Sequence, residues 1–102
     1  FLRCDDLELD LYSRVAKRTG TTVELSNREF SLLEYLMRNP DRVLSRTQIG
    51  EQVWDINFDL TSNVVDVYIS SLRKKVDSGS GRQLIHTVKG VGYRLGLPDP
   101  KG

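Results

Sequence analysis

A helix-start signal that occurs twice restricts the fold of this chain more than any other feature. Ser26 precedes Glu29 by three positions, and Ser45 precedes Gln48 by the same spacing. In each pair the serine hydroxyl can accept a hydrogen bond from the later residue's backbone amide, while the Glu or Gln side chain reaches back to the serine amide. Each serine is therefore predicted to begin a helix.

Other residues set the ends of these two helices. The first is predicted to stop at Asn39-Pro40, because proline disfavours helical geometry in the residue before it. The second is predicted to run from about Arg46 to Trp54. Gly50 weakens this short helix, so tertiary packing must hold it.

A third helix, predicted over residues 62–76, has two faces of opposite character. At roughly 100° per residue, one narrow stripe is apolar and predicts a core-facing seam: Val65, Ile69, Leu72 and Val76. The opposite side gathers amide, hydroxyl and ammonium groups around one valine: Asn63, Val67, Ser70 and Lys74. This mixture suits a DNA major groove, where thymine methyls lie between hydrogen-bond donors and acceptors. Either Thr61 or Ser62 can cap the helix.

Both ends of the chain are predicted to form strands. Residues 1–25 include an alternating apolar and acidic run that indicates a small antiparallel sheet: Leu7, Glu8, Leu9, Asp10 and Leu11. Residues 17–22 surround Gly20 and predict a hairpin. Near the other end, residues 84–96 predict a second hairpin, with its turn at residues 89–92.

The composition excludes several classes of protein. The 102 residues suffice for one domain, and no apolar run approaches the length of a membrane span or a signal peptide, so we expect an intracellular protein. Cys4 has no second thiol to pair with, and His86 has no carboxylate or cysteine neighbour in sequence. We therefore expect no catalytic residue, no metal site and no cofactor, and hence no enzyme.

Charge is distributed unevenly along the chain. The net charge is only +1, but residues 61–102 contain seven basic and three acidic groups. The same region contains the third helix with its polar face. A surface that is positive at one end would attract a polyanion in one orientation, which favours a nucleic acid as partner.

A short extended piece, residues 42–44, is predicted between the first two helices. The predicted order is therefore helix, short strand, helix, helix and hairpin behind a small sheet, and this describes a winged helix. Five segments carry a closer resemblance: 25–30 (LSNREF), 43–46 (VLSR), 65–67 (VDV), 72–75 (LRKK) and 87–94 (TVKGVGYR). In order and spacing they resemble the effector domain of the OmpR/PhoB family of bacterial two-component response regulators. The resemblance covers nearly the whole chain, from Leu7 to Leu95.

This resemblance implies an α+β fold: a winged helix-turn-helix with an N-terminal antiparallel four-stranded sheet, a three-helix core and a C-terminal hairpin wing. We expect residues 1–102 to form a single winged-helix domain. Within it, residues 1–25 form the sheet, residues 26–76 the three helices and residues 84–96 the wing. The implied function is sequence-specific DNA binding for transcription regulation. The helix over residues 62–76 would lie in the major groove, and the wing in the minor groove.

The resemblance also implies particular DNA contacts. Val67 and Ser71 would face bases, and Lys89 would enter the minor groove. Other positions would lie near phosphates or groove edges: Asn63, Tyr68, Ser70, Arg73, Thr87 and Tyr93. The family often has arginines where this chain has Ser70 and Ser71, so specificity would rest more on Val67, Lys74, the wing and DNA shape. Trp54 would touch the DNA backbone or pack in the core, and Asp66 would pair with a nearby cation.

One segment is implied to contact RNA polymerase, although folding back over the core is an equal alternative: Asp55, Ile56, Asn57, Phe58, Asp59 and Leu60. The chain is also similar to regulators of heavy-metal resistance, particularly copper, around residues 54–59 and 63–67. Family members carry a phosphorylated receiver domain and respond to a histidine kinase. No receiver is present in these residues, so we expect an excised fragment of a cytoplasmic bacterial protein.

The expected partner is double-stranded DNA with direct repeats, bound by a head-to-tail pair of domains. The alternative is a winged-helix module for protein–protein interaction, with the apolar segment 55–60 and the third helix docking a protein.

Overall fold

The computed structural model describes residues 1–54, 62–78 and 82–98 of the chain. Seven strands and three helices lie in these ranges, in the order β1 (Leu2–Cys4), β2 (Leu7–Asp10), β3 (Val15–Arg18), β4 (Thr21–Val23), α1 (Asn27–Arg38), β5 (Leu44–Ser45), α2 (Arg46–Val53), α3 (Val64–Val76), β6 (Ile85–Val88) and β7 (Gly92–Leu95). The prediction of an α+β winged helix is confirmed.

The first four strands form the predicted antiparallel sheet, in the order β1-β2-β3-β4. Leu7 and Leu9 of β2 are fully buried, whereas Glu8 and Asp10, which alternate with them, are only half-buried. The hairpin between β3 and β4 turns through Thr19 and Gly20, which have φ angles of 53° and 79°. Glycine adopts this left-handed conformation without the penalty that a side chain imposes.

Both predicted helix starts are confirmed. The Ser26 hydroxyl accepts from the Glu29 amide at 3.2 Å, and the Glu29 carboxylate accepts from the Ser26 amide at 2.8 Å. The same exchange joins Ser45 and Gln48, at 3.0 and 2.9 Å. α1 ends at Arg38, just before the predicted stop, and α2 ends one residue earlier than predicted.

α3 begins at Val64, two residues later than the prediction of 62–76. The Ser62 hydroxyl accepts from the Val64 amide at 3.1 Å, while Thr61 lies outside the described residues. Asn63 occupies the N-cap position without a side-chain hydrogen bond. The apolar seam is buried as predicted: Val65, Ile69, Leu72 and Val76 are at most 1% exposed.

β6 and β7 form the wing, and β5 adds a third strand, in the order β5-β7-β6. β5 immediately precedes α2, so the wing is attached to the start of that helix. Close approach at this junction requires glycine, because a Cβ atom on Gly92 would lie 2.0 Å from the Leu44 carbonyl oxygen. Gly90, with φ of 79°, forms the turn at the wing tip.

The core lies where α1 meets both sheets and the other two helices. Its largest fully buried side chains are mostly leucines, from every part of the described chain: Leu7, Leu9, Leu32, Leu33, Leu36, Leu72, Leu84 and Leu95. In the described ranges no helix is long and apolar enough to cross a bilayer. The core therefore fixes α3 by its inner face and leaves its outer face uncovered.

Candidate nucleic-acid interface

The outer face of α3 is polar, basic and exposed, as predicted. Val67, in its centre, is 52% exposed, although it is a large apolar side chain. Asn63, Ser70 and Lys74 are also exposed around it. A thymine methyl in a DNA major groove is an apolar partner that matches such a side chain, because it too lies among hydrogen-bond donors and acceptors.

Two shallow concavities lie on this face, and Ser70 and Lys74 line both of them. One measures about 440 Å³ and extends towards the start of the helix; its lining residues are Asp66, Val67, Ser70, Ser71 and Lys74. The other measures about 450 Å³ and extends towards the C-terminal end; it is lined by Ser70, Arg73, Lys74, Asp77, Ser78 and Gln83.

The wing is joined to α3 by Arg73. Its guanidinium Nη2 donates to the Thr87 hydroxyl of β6 at 2.9 Å, while its Nε is buried without a hydrogen-bond partner among the described residues. Thr87 and the wing-tip residues Lys89 and Gly90 are exposed. The predicted contacts on α3 and on the wing therefore lie on connected elements.

A second connection joins α3 to the wing through Asp66. The Tyr93 hydroxyl donates to Asp66 Oδ1 at 2.5 Å, and Arg46 of α2 pairs with Asp66 Oδ2 at 3.0 Å. Burial and the adjacent Asp66 carboxylate together raise the pKa of Tyr93 to about 12, and burial is the larger cause. The predicted pairing of Asp66 with a cation is confirmed. Tyr93 is 9% exposed, so its phosphate contact stays a prediction.

Ser71 lies on the flank of α3 that faces α1. Its hydroxyl donates to Glu29 Oε2 at 2.5 Å, and the Lys75 ammonium donates to Glu29 Oε1 at 2.6 Å. Burial alone would raise the pKa of Glu29, but hydrogen bonds from Lys75, Ser71 and the Ser26 amide hold it at about 2. The structure thus gives Ser71 a protein partner, and its base contact stays a prediction.

Arg18 forms a buried centre that sequence reasoning missed. Its guanidinium pairs with Asp6 at 2.6 Å and with Asp77 at 2.9 Å, and it donates to the Val76 carbonyl at 2.7 Å and to the Arg82 carbonyl. Arg18 therefore connects the N-terminal sheet to the end of α3 and to the segment that precedes the wing. The sequence contained one signal for this centre: in the alternating pattern of strand β3, Arg18 occupies a position that faces the core.

Trp54, at the C-terminal end of α2, packs against Tyr68 of α3. Their rings meet edge to face, with centroids 5.2 Å apart, and the Arg28 guanidinium lies 5.3 Å from the Trp54 ring centroid. Both aromatic residues are half-buried against the core. This contact agrees with the packing alternative for Trp54, and DNA contacts by either ring stay predictions.

Three cations of this face have no acidic partner in the part of the chain that the structure describes: Arg73, Lys74 and Lys89. Arg46 and Lys75, by contrast, are paired with Asp66 and Glu29. Within the same ranges no three His, Cys, Asp or Glu side chains form a metal-binding group. The predicted polymerase-contacting segment, residues 55–60, lies outside the described residues.

Comparisons with known proteins agree with this geometry. Residues 20–95 match the family described as "Transcriptional regulatory protein, C terminal". The chain is 52% identical over 98 residues to the transcriptional regulatory protein TrcR of Mycobacterium tuberculosis, covering 96% of this chain and 38% of TrcR. It is 48% identical over 94 residues to CusR of Escherichia coli K12, covering 92% of this chain and 41% of CusR.

A solved structure extends the comparison to a DNA complex. It is the DNA-binding domain of the response regulator AdeR in complex with an intercistronic region. The TM-score is 0.81 at 26% sequence identity, and the match covers 94% of this chain and 99% of the AdeR chain. The chain spans about two fifths of the length of TrcR and CusR.

Proposed function

This chain belongs to the family of transcriptional regulatory protein C-terminal domains, the DNA-binding effector domains of OmpR/PhoB-type response regulators, and from this premise we propose how it reads DNA. α3 enters the major groove with its outer face, and the wing tip enters the adjacent minor groove. The observation that carries the proposal is the exposed Val67, set among polar and basic side chains on α3.

We propose different roles for the residues of this interface. Val67 packs on a thymine methyl, and Ser70 hydrogen-bonds at the base edges. Lys74 and Lys89 contact phosphate or the minor groove, because neither is neutralised by an acid in the described part of the chain. Phosphates or groove edges are contacted by the remaining residues of the predicted set, of which all but the buried Tyr93 are exposed or half-buried: Asn63, Tyr68, Arg73, Thr87, Tyr93 and Trp54.

We propose that two copies bind direct repeats head to tail. A single domain of this size buries only about 600 to 1,000 Å² on DNA, which gives modest affinity. A second copy on the neighbouring repeat raises the overall affinity, because binding of the pair is cooperative. Two of the three extents of the domain, 37 and 36 Å, are close to one helical turn of DNA, about 34 to 36 Å.

We propose that the complete protein is a cytoplasmic bacterial response regulator. Its receiver domain would be phosphorylated by a cognate histidine kinase, and residues 55–60 would contact RNA polymerase. The chain spans about two fifths of TrcR and CusR, which leaves room for a receiver in a protein of that length. The likeness to CusR supports the heavy-metal subgroup that the sequence resemblance suggested.

Selection of bound duplexes from a random DNA pool tests this function. The proposal predicts enrichment of direct repeats, with a thymine-containing step opposite Val67. Failure to enrich any sequence would contradict DNA recognition and favour the protein-interaction alternative.

Two substitutions separate base reading from phosphate contact. Val67→Ala should change the preferred base at one position of each repeat, costing about 1 to 3 kcal/mol on the original site. Lys89→Ala should instead weaken all sequences alike and reduce the slope of log affinity against log salt by about one. Quantitative binding to the selected duplex and its single-base variants measures both effects. Equal profiles for the two variants would contradict the division of roles.

A further inference from the structure

We propose that Ser71 is a positioning residue: its hydrogen bond to Glu29 sets the angle at which α3 is presented to DNA, and Ser71 reads no base itself. This inference rests on the proposed function, because it assigns a role within the same interface. It also reassigns a residue that the family resemblance placed against the bases.

The anchoring contact has two donors, one helical turn apart. Ser71 Oγ lies 2.5 Å from Glu29 Oε2, and Lys75 Nζ lies 2.6 Å from Glu29 Oε1. Residues four apart on a helix lie on the same face, so both donors meet α1 along one line. Two fixed points on one line restrain both the translation of α3 along α1 and its rotation about its own axis.

The acceptor cannot move to follow its partners. Glu29 is 3% exposed, and its Oε1 also accepts from the Ser26 amide at 2.8 Å as part of the α1 cap. Both carboxylate oxygens are therefore engaged, and the group is fixed relative to the first turn of α1. A shift of α3 would leave a buried carboxylate oxygen without a donor, which costs free energy.

The two adjacent serines of α3 differ in what their hydroxyls can do. A serine hydroxyl has one proton, and Ser71 gives it to a buried carboxylate. The pKa of Glu29, about 2, keeps that acceptor charged throughout the physiological range. Ser70 is exposed, borders both concavities and has no hydrogen bond to the described residues. Ser70 can therefore donate to a base edge, whereas Ser71 is committed to α1.

A positioning contact and a base contact have different signatures. A contact that only sets register affects every DNA sequence equally, whereas a base contact changes the ranking of sequences. The role assigned to Ser71 thus predicts loss of affinity without loss of preference. Ser70 provides a matched control, because it has the same side chain at the neighbouring position of the same helix.

The experiment compares Ser71→Ala, Ser71→Thr and Ser70→Ala on the selected duplex and a panel of its single-base variants. We expect Ser71→Ala to lower affinity by about 3- to 10-fold for every duplex alike, the range that corresponds to one lost hydrogen bond. Ser71→Thr keeps the hydroxyl and should retain most of the affinity. Ser70→Ala should change the ranking of the duplexes.

Residual dipolar couplings of the DNA-free domain measure the orientation directly. In Ser71→Ala the couplings of α3 should fit the wild-type orientation relative to α1 less well, while those of Ser70→Ala should fit as before. This comparison needs no DNA, so it separates the inference from the proposed function, which the wild-type protein tests by its enrichment of DNA sequences.

Two results would overturn the inference. One is a change of preference by Ser71→Ala at a single base pair, which would make Ser71 a reader. The other is a folded Ser71→Ala variant with unchanged affinity and unchanged α3 couplings. Should Ser71→Ala not fold, the same two measurements on Ser71→Thr decide the matter: an unchanged ranking with most of the affinity retained supports the inference, and a change of preference at one base pair overturns it.

Discussion

Acidic residues determine where the side chains of the DNA-facing elements point. Asp66 holds both the Tyr93 hydroxyl and the Arg46 guanidinium, so the wing and α2 are attached to α3 at one carboxylate. The sequence allowed this pairing to be predicted, because an acid on a basic helix needs a cation. It could not name the partners, since Arg46 and Tyr93 approach from other elements.

Replacing Tyr93 should show how much this contact stabilises the fold. The folded pKa of about 12 lies above the ordinary value of 10.0, so the contribution is complete below pH 10 and is lost as pH rises to 12. Tyr93→Phe should lower the free energy of unfolding by about 0.5 to 1.5 kcal/mol at pH 8. The free energy of unfolding of this variant should also fall less than that of wild type between pH 10 and pH 12.

Urea unfolding at a series of pH values measures both effects, and Tyr12→Phe is the control, because Tyr12 is fully exposed in the β2–β3 turn. The control should have wild-type stability at pH 8. If Tyr93→Phe and wild type lost stability in parallel above pH 10, the Tyr93–Asp66 contact would not be the cause.

The secondary-structure elements were predictable where their signals are local. The capping boxes placed the starts of α1 and α2, and period-2 alternation placed the β2 strand. The start of α3 was less predictable because its N-cap residue, Asn63, makes no side-chain hydrogen bond and Ser62 acts from one position earlier. The contacts that join elements depend on residues far apart in sequence, such as Arg18 with Asp77.

Arg18 is the element-scale contact with the largest predicted effect on stability. Its removal leaves Asp77, whose side chain is 5% exposed, with one fewer cation and leaves the Val76 carbonyl without its donor. Breaking a buried ion pair from one side typically costs about 3 to 5 kcal/mol. Arg18→Ala should therefore destabilise the domain by about that amount in urea unfolding.

Arg3→Ala is the matched control for this experiment, because Arg3 also lies in the N-terminal sheet but forms an exposed ion pair with Glu8. We expect it to cost at most about 1 kcal/mol. A similar small cost for Arg18→Ala would show that the buried cluster does not hold the sheet to α3.

At the scale of the whole molecule, the fold rearranges the charges of the sequence. The basic surplus of residues 61–102 is partly neutralised by acids from the first half of the chain: Asp5 pairs with Arg82, Glu29 pairs with Lys75, and Asp41 pairs with Arg94. In the described part of the chain, Lys74 on α3 and Lys89 on the wing are left unpaired. Unpaired positive charge is thereby present where the proposed DNA contacts lie, which composition alone could not reveal.

The central claim is that DNA covers the outer face of α3 together with the wing tip. Titrating the 15N-labelled domain with the selected duplex tests it most directly. The amide signals of Val67, Ser70, Lys74, Lys89 and Gly90 should shift or broaden, while those on the outer face of the N-terminal sheet stay in place. The account would be contradicted if the largest changes fell on that sheet and the α3 signals did not move.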